Sequence, residues 1–225
     1  MAPSSPPGPP DASPAPAGWH LVLPLKGGPR AKSRLRGGPE LARAIAQDCL
    51  DAVLRCAAVG RVLVITADAE TAHWAARAGA ATVPESRPGA GLIAAVLDGI
   101  GAVPAGGGPI GVLLADLPAL RPEDLAAGLA AAARALDRHP DAPMAAVPDA
   151  EGSGTVLLTA RSSADLDPAF GPDSLAEHLR RAAVPVDIDL PRLRRDVDTP
   201  DDLCAALAMG AGPRTTASAR LSSAC

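Results

Sequence analysis

Short apolar runs that alternate with Ala/Leu-rich amphipathic segments constrain this chain more than any other feature. "HLVLPL" (20–25), "RVLVIT" (61–66), "ATVP" (81–84) and "PIGVLLA" (109–115) read as strands. Between them, "ELARAIAQDCLDAVLRCA" (40–57) sets Leu41, Ile45, Cys49, Val53 and Cys56 along one stripe of a helix. Further helices are expected over 69–78, 91–103 and 121–136, the last with Pro122 in its first turn. Strands separated by helices require right-handed crossovers, hence a three-layer α/β fold: a mostly parallel sheet with helices on both faces. "PMAAVP" (143–148) and "TVLLTA" (155–160) follow one another with no helix between them, which marks a local antiparallel excursion. A helix over 172–182, a strand in "VPVDIDL" (184–190) and a helix in "TPDDLCAALAMG" (199–210), with Thr199 as N-cap, complete the pattern.

That pattern occupies residues 19–210 as one domain, a size that suits a single core within 225 residues. Residues 1–18, with seven prolines and neither a basic nor an apolar signal region, read as a disordered Pro-rich tail, and 211–225 as a flexible C-terminal tail. The core must be aliphatic, because the chain has one Phe, two Trp and no Tyr. So few aromatics leave no stacking platform for single-stranded nucleic acid, and a net charge of −4 attracts neither DNA nor a membrane surface. No stretch is apolar for long enough to span a bilayer. Cys49, Cys56, Cys204 and Cys225 form no CxxC pair and read as reduced structural thiols, which points to the cytoplasm.

In a sheet of this kind ligands lie beyond the carboxyl ends of the strands, which singles out the loops after residues 25, 66, 84, 115 and 147. The first, "LPLKGGPRAKSRLRGG" (23–38), carries Lys26, Arg30, Lys32, Arg34 and Arg36, the densest positive charge in an acidic chain. Glycine lets backbone N–H groups approach an anion and the cations neutralise it, so the loop is expected to hold a polyphosphate. It is neither a Walker A loop nor a GxGxxG turn. The loop in "LLADLPAL" (113–120) places Asp116 after a wholly apolar strand, where a carboxylate either caps the turn or ligates Mg²⁺. A second carboxylate could come from Asp149 in "VPDAEGSGT" (147–155) or from Asp198 in "RRDVDTPDDL" (194–203). Asp198 reads equally as part of a capping turn before Pro200, while Asp201 and Asp202 favour the following helix N-terminus. "DAEGSGT" (149–155) and "FGPDSLAEH" (170–178) combine Gly with hydroxyl residues as a small-anion site would, and His178 reads as a helix-face residue with no role as a base.

"LPLKGGPRAKSRL", "ADLPAL", "GSGT", "FGPDSLAEH" and "DVDTPDDL", in that order, resemble the guanylyltransferases of coenzyme F-420 biosynthesis over about residues 19–209. These act on 2-phospho-L-lactate or, in actinobacteria, on phosphoenolpyruvate. The resemblance implies a glycosyltransferase-A-like (nucleotide-diphospho-sugar transferase-like) nucleotidyltransferase that uses GTP and Mg²⁺. It transfers GMP onto the phosphate of a three-carbon phospho-acid and releases pyrophosphate. By the same resemblance, Lys26, Lys32 and Arg34 hold the GTP phosphates, and Pro24 and Gly91 complete the nucleotide site. Lys32, Arg34 and Asp116 form the catalytic set, Asp116 takes the metal, with Asp198 expected beside it and Asp149 as the alternative, and Thr155, Gly171 and Ser174 hold the phospho-acid. The chain departs from the family at Ile93, where an Asn near the nucleotide is usual, so guanine contacts from that segment are not carried over. An Ala/Arg/Pro/Gly-rich composition of the kind a GC-rich genome encodes favours phosphoenolpyruvate over 2-phospho-L-lactate. Two other readings compete: a non-catalytic nucleotide-binding regulator, and a molybdopterin- or sugar-nucleotidyltransferase. The Gly-Gly-x-Ser/Thr-x-Arg start of the latter is interrupted here by Pro29 and Ala31.

Overall fold

The computed structural model describes residues 18–26, 37–104 and 106–222. Lys32 and Arg34, and the N-terminal segment 1–17, lie outside these residues. Seven strands form one sheet: β1 (Trp19–Pro24), β2 (Val59–Thr66), β3 (Ala81–Pro84), β4 (Ile110–Leu113), β5 (Met144–Pro148), β6 (Thr155–Ala160) and β7 (Val184–Pro185). Their order is β3-β2-β1-β4-β6-β5-β7. β6 runs antiparallel to both β4 and β5, while the other pairings are parallel, so the excursion expected around residue 150 is a single reversed strand.

Every residue of β4 and β6 is buried, as strands covered on both faces must be, and β3 at the edge is only half-buried. Alternation along β1 divides the core in two. Leu21 and Leu23 join Val62, Val64, Leu113 and Leu157 under α1 (Gly38–Leu54), α2 (Ala69–Ala78) and α4 (Pro122–Arg138). Val22 points the other way, with Leu63, Ile65, Val112 and Leu158, under α3 (Leu92–Gly101) and near Phe170. α5 (Ser174–Arg180) lies on this second face, where its His178 ring meets Phe170 edge-on.

The helix α3 approaches the sheet at Gly99, where an added Cβ would lie 2.4 Å from Val22 Cγ1 and 2.7 Å from Ile65 Cδ1. Both neighbours are fully buried β-branched residues with one favoured rotamer each, so neither gives way cheaply. Gly99→Ala is therefore expected to lower stability by about 1–3 kcal/mol, even though Ala is the better helix former. Urea unfolding midpoints of the two proteins measure the difference.

Two expectations need correction. "VPVDIDL" pairs as a strand only at Val184–Pro185, beside β5, and then leads into the short α6 (Pro191–Arg194). The expected loose tail over 211–225 contains α8 (Pro213–Leu221), which follows α7 (Pro200–Ala208). The cause is Asp48 on α1, which is buried and accepts hydrogen bonds from the backbone N–H groups of Thr215 (2.7 Å) and Arg214 (3.3 Å). Arg214 also pairs with Asp48 and Asp51, and Gly212 must be small because a Cβ there would sit 2.3 Å from the Asp48 carboxyl carbon. Leu41, Ile45, Val197, Leu203, Ala206 and Ala219 then make a third apolar cluster that fixes α7 and α8 against α1. Cys49 and Cys56 are free and buried, but Cys204 is disulfide-bonded, contrary to the expectation of four thiols. Among the described residues, no helix is long and apolar enough to cross a membrane.

Candidate active site

From β1 the chain winds outward through β2 to β3, and β4 then starts the other half of the sheet on the opposite side of β1. The switch point is thus the β1/β4 pair, and a crevice opens beyond its carboxyl ends. A cleft of about 420 Å³ lies there, lined by Pro24, Lys26, Glu85, Leu92, Asp116 and Asp198 among others. Lys26 reaches it from the end of β1 and Asp116 from the end of β4, so the start of the basic loop and the strand-end carboxylate share one cavity.

The turn after β4 holds Asp116 in place. Leu117, Ala119 and Leu120 are buried and set that turn, and the Asp116 carbonyl accepts a hydrogen bond from Val197 N–H at 3.1 Å. That bond draws residues 196–198 alongside. Val197 is fully buried in the third apolar cluster, whereas Asp196 on one side of it is half-buried and Asp198 on the other is exposed. Burial, and then the nearby Asp116 and Asp198 carboxylates, push the Asp196 carboxyl up to about 7. So much negative charge in one place could hold a cation, whose charge would relieve the repulsion. Among the described residues no three His, Cys, Asp or Glu side chains form a metal cage. Two cleft carboxylates suit Mg²⁺, which takes one or two and completes its shell with phosphate and water.

Asp149 has a different task. Its carboxylate accepts from Ser153 N–H (2.9 Å) and Gly154 N–H (2.7 Å) and so clasps its own loop. A Cβ on Gly154 would lie 2.3 Å from Asp149 Oδ2, so the clasp requires glycine there. Of the two carboxylates left open by the sequence, Asp198 lines the cleft. The capping turn expected as an alternative for Asp198 is built on a reciprocal Thr199–Asp202 box, and Asp198 joins it through its backbone N–H, which donates to Asp202 Oδ2 at 3.3 Å.

Arg194 and Arg195 join the two halves of this edge. Arg194 donates to the carbonyl of Asp149 at 2.8 Å and to that of Pro148 at 3.1 Å. Arg195 bridges Glu151 (2.5 Å) and Asp202 (3.1 Å). The residues just before the Asp196–Asp198 pair therefore grip the 148–151 loop, which connects β5 to the start of β6.

Thr155, Gly171 and Ser174 do come together. Thr155 N–H donates to Ser174 Oγ at 2.9 Å, Ser174 N–H to the Gly171 carbonyl at 3.2 Å, and Leu175 N–H to the Ser153 carbonyl at 3.1 Å. Gly91 stands at the N-cap of α3 with φ +100°, a backbone conformation that favours glycine, and delivers Leu92 and Ala95 to the cleft wall. Ile93 packs against the core on the α3 side.

Sequence reasoning missed four residues here: Glu85, Asp196, Arg195 and His178. For Asp196 a signal existed, since it stands two residues before Asp198 in the sequence. His178, read as a helix-face residue, is fully buried and its ring contacts Thr155, Ala169 and Phe170.

Residues 26–196 match the family of MobA-like NTP transferase domains. The chain is 48% identical over 203 residues to a phosphoenolpyruvate guanylyltransferase of Salinispora arenicola, covering 88% of this chain and 91% of that one. It is 46% identical over 208 residues to a phosphoenolpyruvate guanylyltransferase of Streptomyces coelicolor, covering 88% and 94%. Among solved structures, a protein assigned as a nucleotide-diphospho-sugar transferase from Desulfovibrio desulfuricans G20 superposes with a TM-score of 0.60 at 18% identity, covering 92% and 95%. A nucleotidyl transferase from Methanothermobacter superposes with a TM-score of 0.53 at 18% identity, covering 85% and 97%. At those identities the structural likeness concerns the fold alone.

Proposed function

The chain belongs to the phosphoenolpyruvate guanylyltransferase family, built on a MobA-like NTP transferase domain, and on that premise we propose that it transfers GMP from GTP to the phosphate of phosphoenolpyruvate. The observation that carries this reading is that Lys26, Asp116 and Asp198 line one cleft at the β1/β4 switch point. A phosphate oxygen of the acceptor attacks the α-phosphorus of GTP. The bond from that phosphorus to the oxygen bridging to the β-phosphate breaks, and pyrophosphate leaves with the electron pair. No base is needed, because a phosphate monoester is largely dianionic near neutral pH.

Lys26, with Lys32 and Arg34 from the same loop, would hold the triphosphate and lower its charge, and Pro24 and Gly91 shape the nucleotide wall. Asp116 and Asp198 would hold Mg²⁺ with Asp196 beside them, in keeping with the general use of a divalent metal by nucleotidyltransferases. Bound there, the ion supplies positive charge for the departing pyrophosphate. Thr155, Gly171 and Ser174 would seat the three-carbon acid. The product, enolpyruvyl-diphospho-guanosine, suits the coenzyme F-420 route implied by the sequence resemblance, and GTP and phosphoenolpyruvate as substrates support a reaction in the cytoplasm.

The test is pyrophosphate release with each nucleoside triphosphate against phosphoenolpyruvate and 2-phospho-L-lactate in the presence of Mg²⁺. GTP with phosphoenolpyruvate is expected to give the highest rate. A faster reaction with 2-phospho-L-lactate would reassign the acceptor, and no turnover with any pair would overturn the enzymatic reading.

A further inference from the structure

Hydrogen bonds at both ring nitrogens fix the protonation of His178. Ala169 N–H donates to His178 Nε2 at 2.9 Å, so Nε2 presents a lone pair and carries no proton. Nδ1 lies 2.9 Å from Thr155 Oγ1. In the neutral ring Nδ1 must then be the protonated nitrogen, and it donates to the Thr155 hydroxyl oxygen. A charged ring would set an N–H against the Ala169 N–H. The surroundings agree: the ring is fully buried, and burial, followed by the nearby Arg181, pushes its pKa down to about 4. Glu177 and Asp167, which favour the charged form, are themselves paired with Arg181. Phe170 meets the imidazole edge-on, with centroids 5.1 Å apart, and fixes the ring plane.

With its oxygen occupied as an acceptor, the Thr155 hydroxyl has its own proton left to donate. Ser174 is in the same condition, because its oxygen accepts from Thr155 N–H. Ala169, held through its N–H, stands two residues before Gly171. One ring therefore ties down Thr155 directly, Ser174 through the Thr155 backbone, and the approach to Gly171. We propose that His178 is a positioning residue that keeps Thr155 and Ser174 as a pair of hydroxyl donors for the anionic phospho-acid acceptor. This rests on the proposed function, in which those residues seat the acceptor.

The experiment separates KM for acceptor from KM for GTP in wild type, His178→Gln and His178→Asn. Gln reaches the Nε2 position but not Thr155, whereas Asn places an N–H near the Nδ1 position. His178→Gln is expected to raise the phosphoenolpyruvate KM roughly tenfold, the effect of one lost hydrogen bond, with KM for GTP unchanged, and Asn is expected to recover most of it. Equal changes in both KM values, or none, would overturn the proposal while leaving guanylyl transfer intact. A wild type inactive with both phosphoenolpyruvate and 2-phospho-L-lactate would remove both. Imidazole ¹⁵N resonances of the wild type at pH 7 give a reading independent of any variant's folding. They are expected to show the neutral Nδ1–H tautomer, and an Nε2–H or charged ring would overturn the proposal.

Discussion

Asp116→Asn is expected to lower turnover by about 10²–10³-fold, the usual consequence of removing one preorganised group that stabilises transition-state charge. The substitution keeps size and shape. The backbone bond from Val197 N–H to the residue-116 carbonyl does not depend on the side chain, and the buried turn through Leu117, Ala119 and Leu120 stays in place. The side chain loses its charge, and one acceptor oxygen becomes an NH2 donor. The loss should therefore appear in kcat, with circular dichroism and the thermal midpoint close to wild type. Near-wild-type turnover would refute Asp116 as the metal-bearing carboxylate. The neighbouring carboxyl gives a second readout: Asp196 is pushed up partly by the Asp116 charge, so in the Asn variant it should titrate lower than in wild type. That shift is measured on metal-free protein and does not require substrate.

The sheet was largely legible from residue patterns because period-2 apolar runs and 3.6-period stripes are local signals. The bounds of α2 (Ala69–Ala78) and β3 (Ala81–Pro84) coincide with those read from the chain. The functional edge was legible to the extent that it sits at strand ends, as Asp116 does after β4. Whatever depends on a distant partner escaped. α8 has a weakly apolar sequence, and the residue that caps its start, Asp48, lies 167 positions from Thr215. On α1, Asp48 is indistinguishable by pattern from a solvated polar residue. His178 escaped for the same reason: only the folded chain brings β6 and residue 169 to opposite nitrogens of its ring. Asp196 hid beside the more conspicuous Thr199–Asp202 cap, although it stands next to Val197, a residue buried in the fold.

The same buried ring makes stability depend on pH in a way that a difference measurement isolates. An unfolded histidine titrates near 6.5, whereas His178 in the fold titrates at about 4. Between those values the unfolded chain binds a proton that the folded chain refuses. The stability is therefore full above about pH 6.5, falls as pH drops, and levels off below about pH 4, for a loss of about 3 kcal/mol. Asp196 works in the opposite sense. Its carboxyl is raised from 3.8 to about 7, so the folded chain holds a proton that the unfolded chain has released, and stability falls as pH rises through that window. The two slopes offset each other in the wild type, whose metal-free stability should change little between pH 4 and 6.5 on their account. Replacing His178 removes one of them. Asp68, Asp98 and Asp202, all held below the usual carboxylate range by hydrogen bonds, are common to both proteins and cancel in the difference. Urea unfolding of wild type and His178→Gln in chelator should show the variant less stable at pH 7, with the gap closing by about 3 kcal/mol towards pH 4. The variant's own curve should then slope upward on acidification, which is the Asp196 contribution left exposed. Parallel curves across this range would mean that His178 titrates alike in both states, and that the ring is not buried as a neutral donor to Thr155.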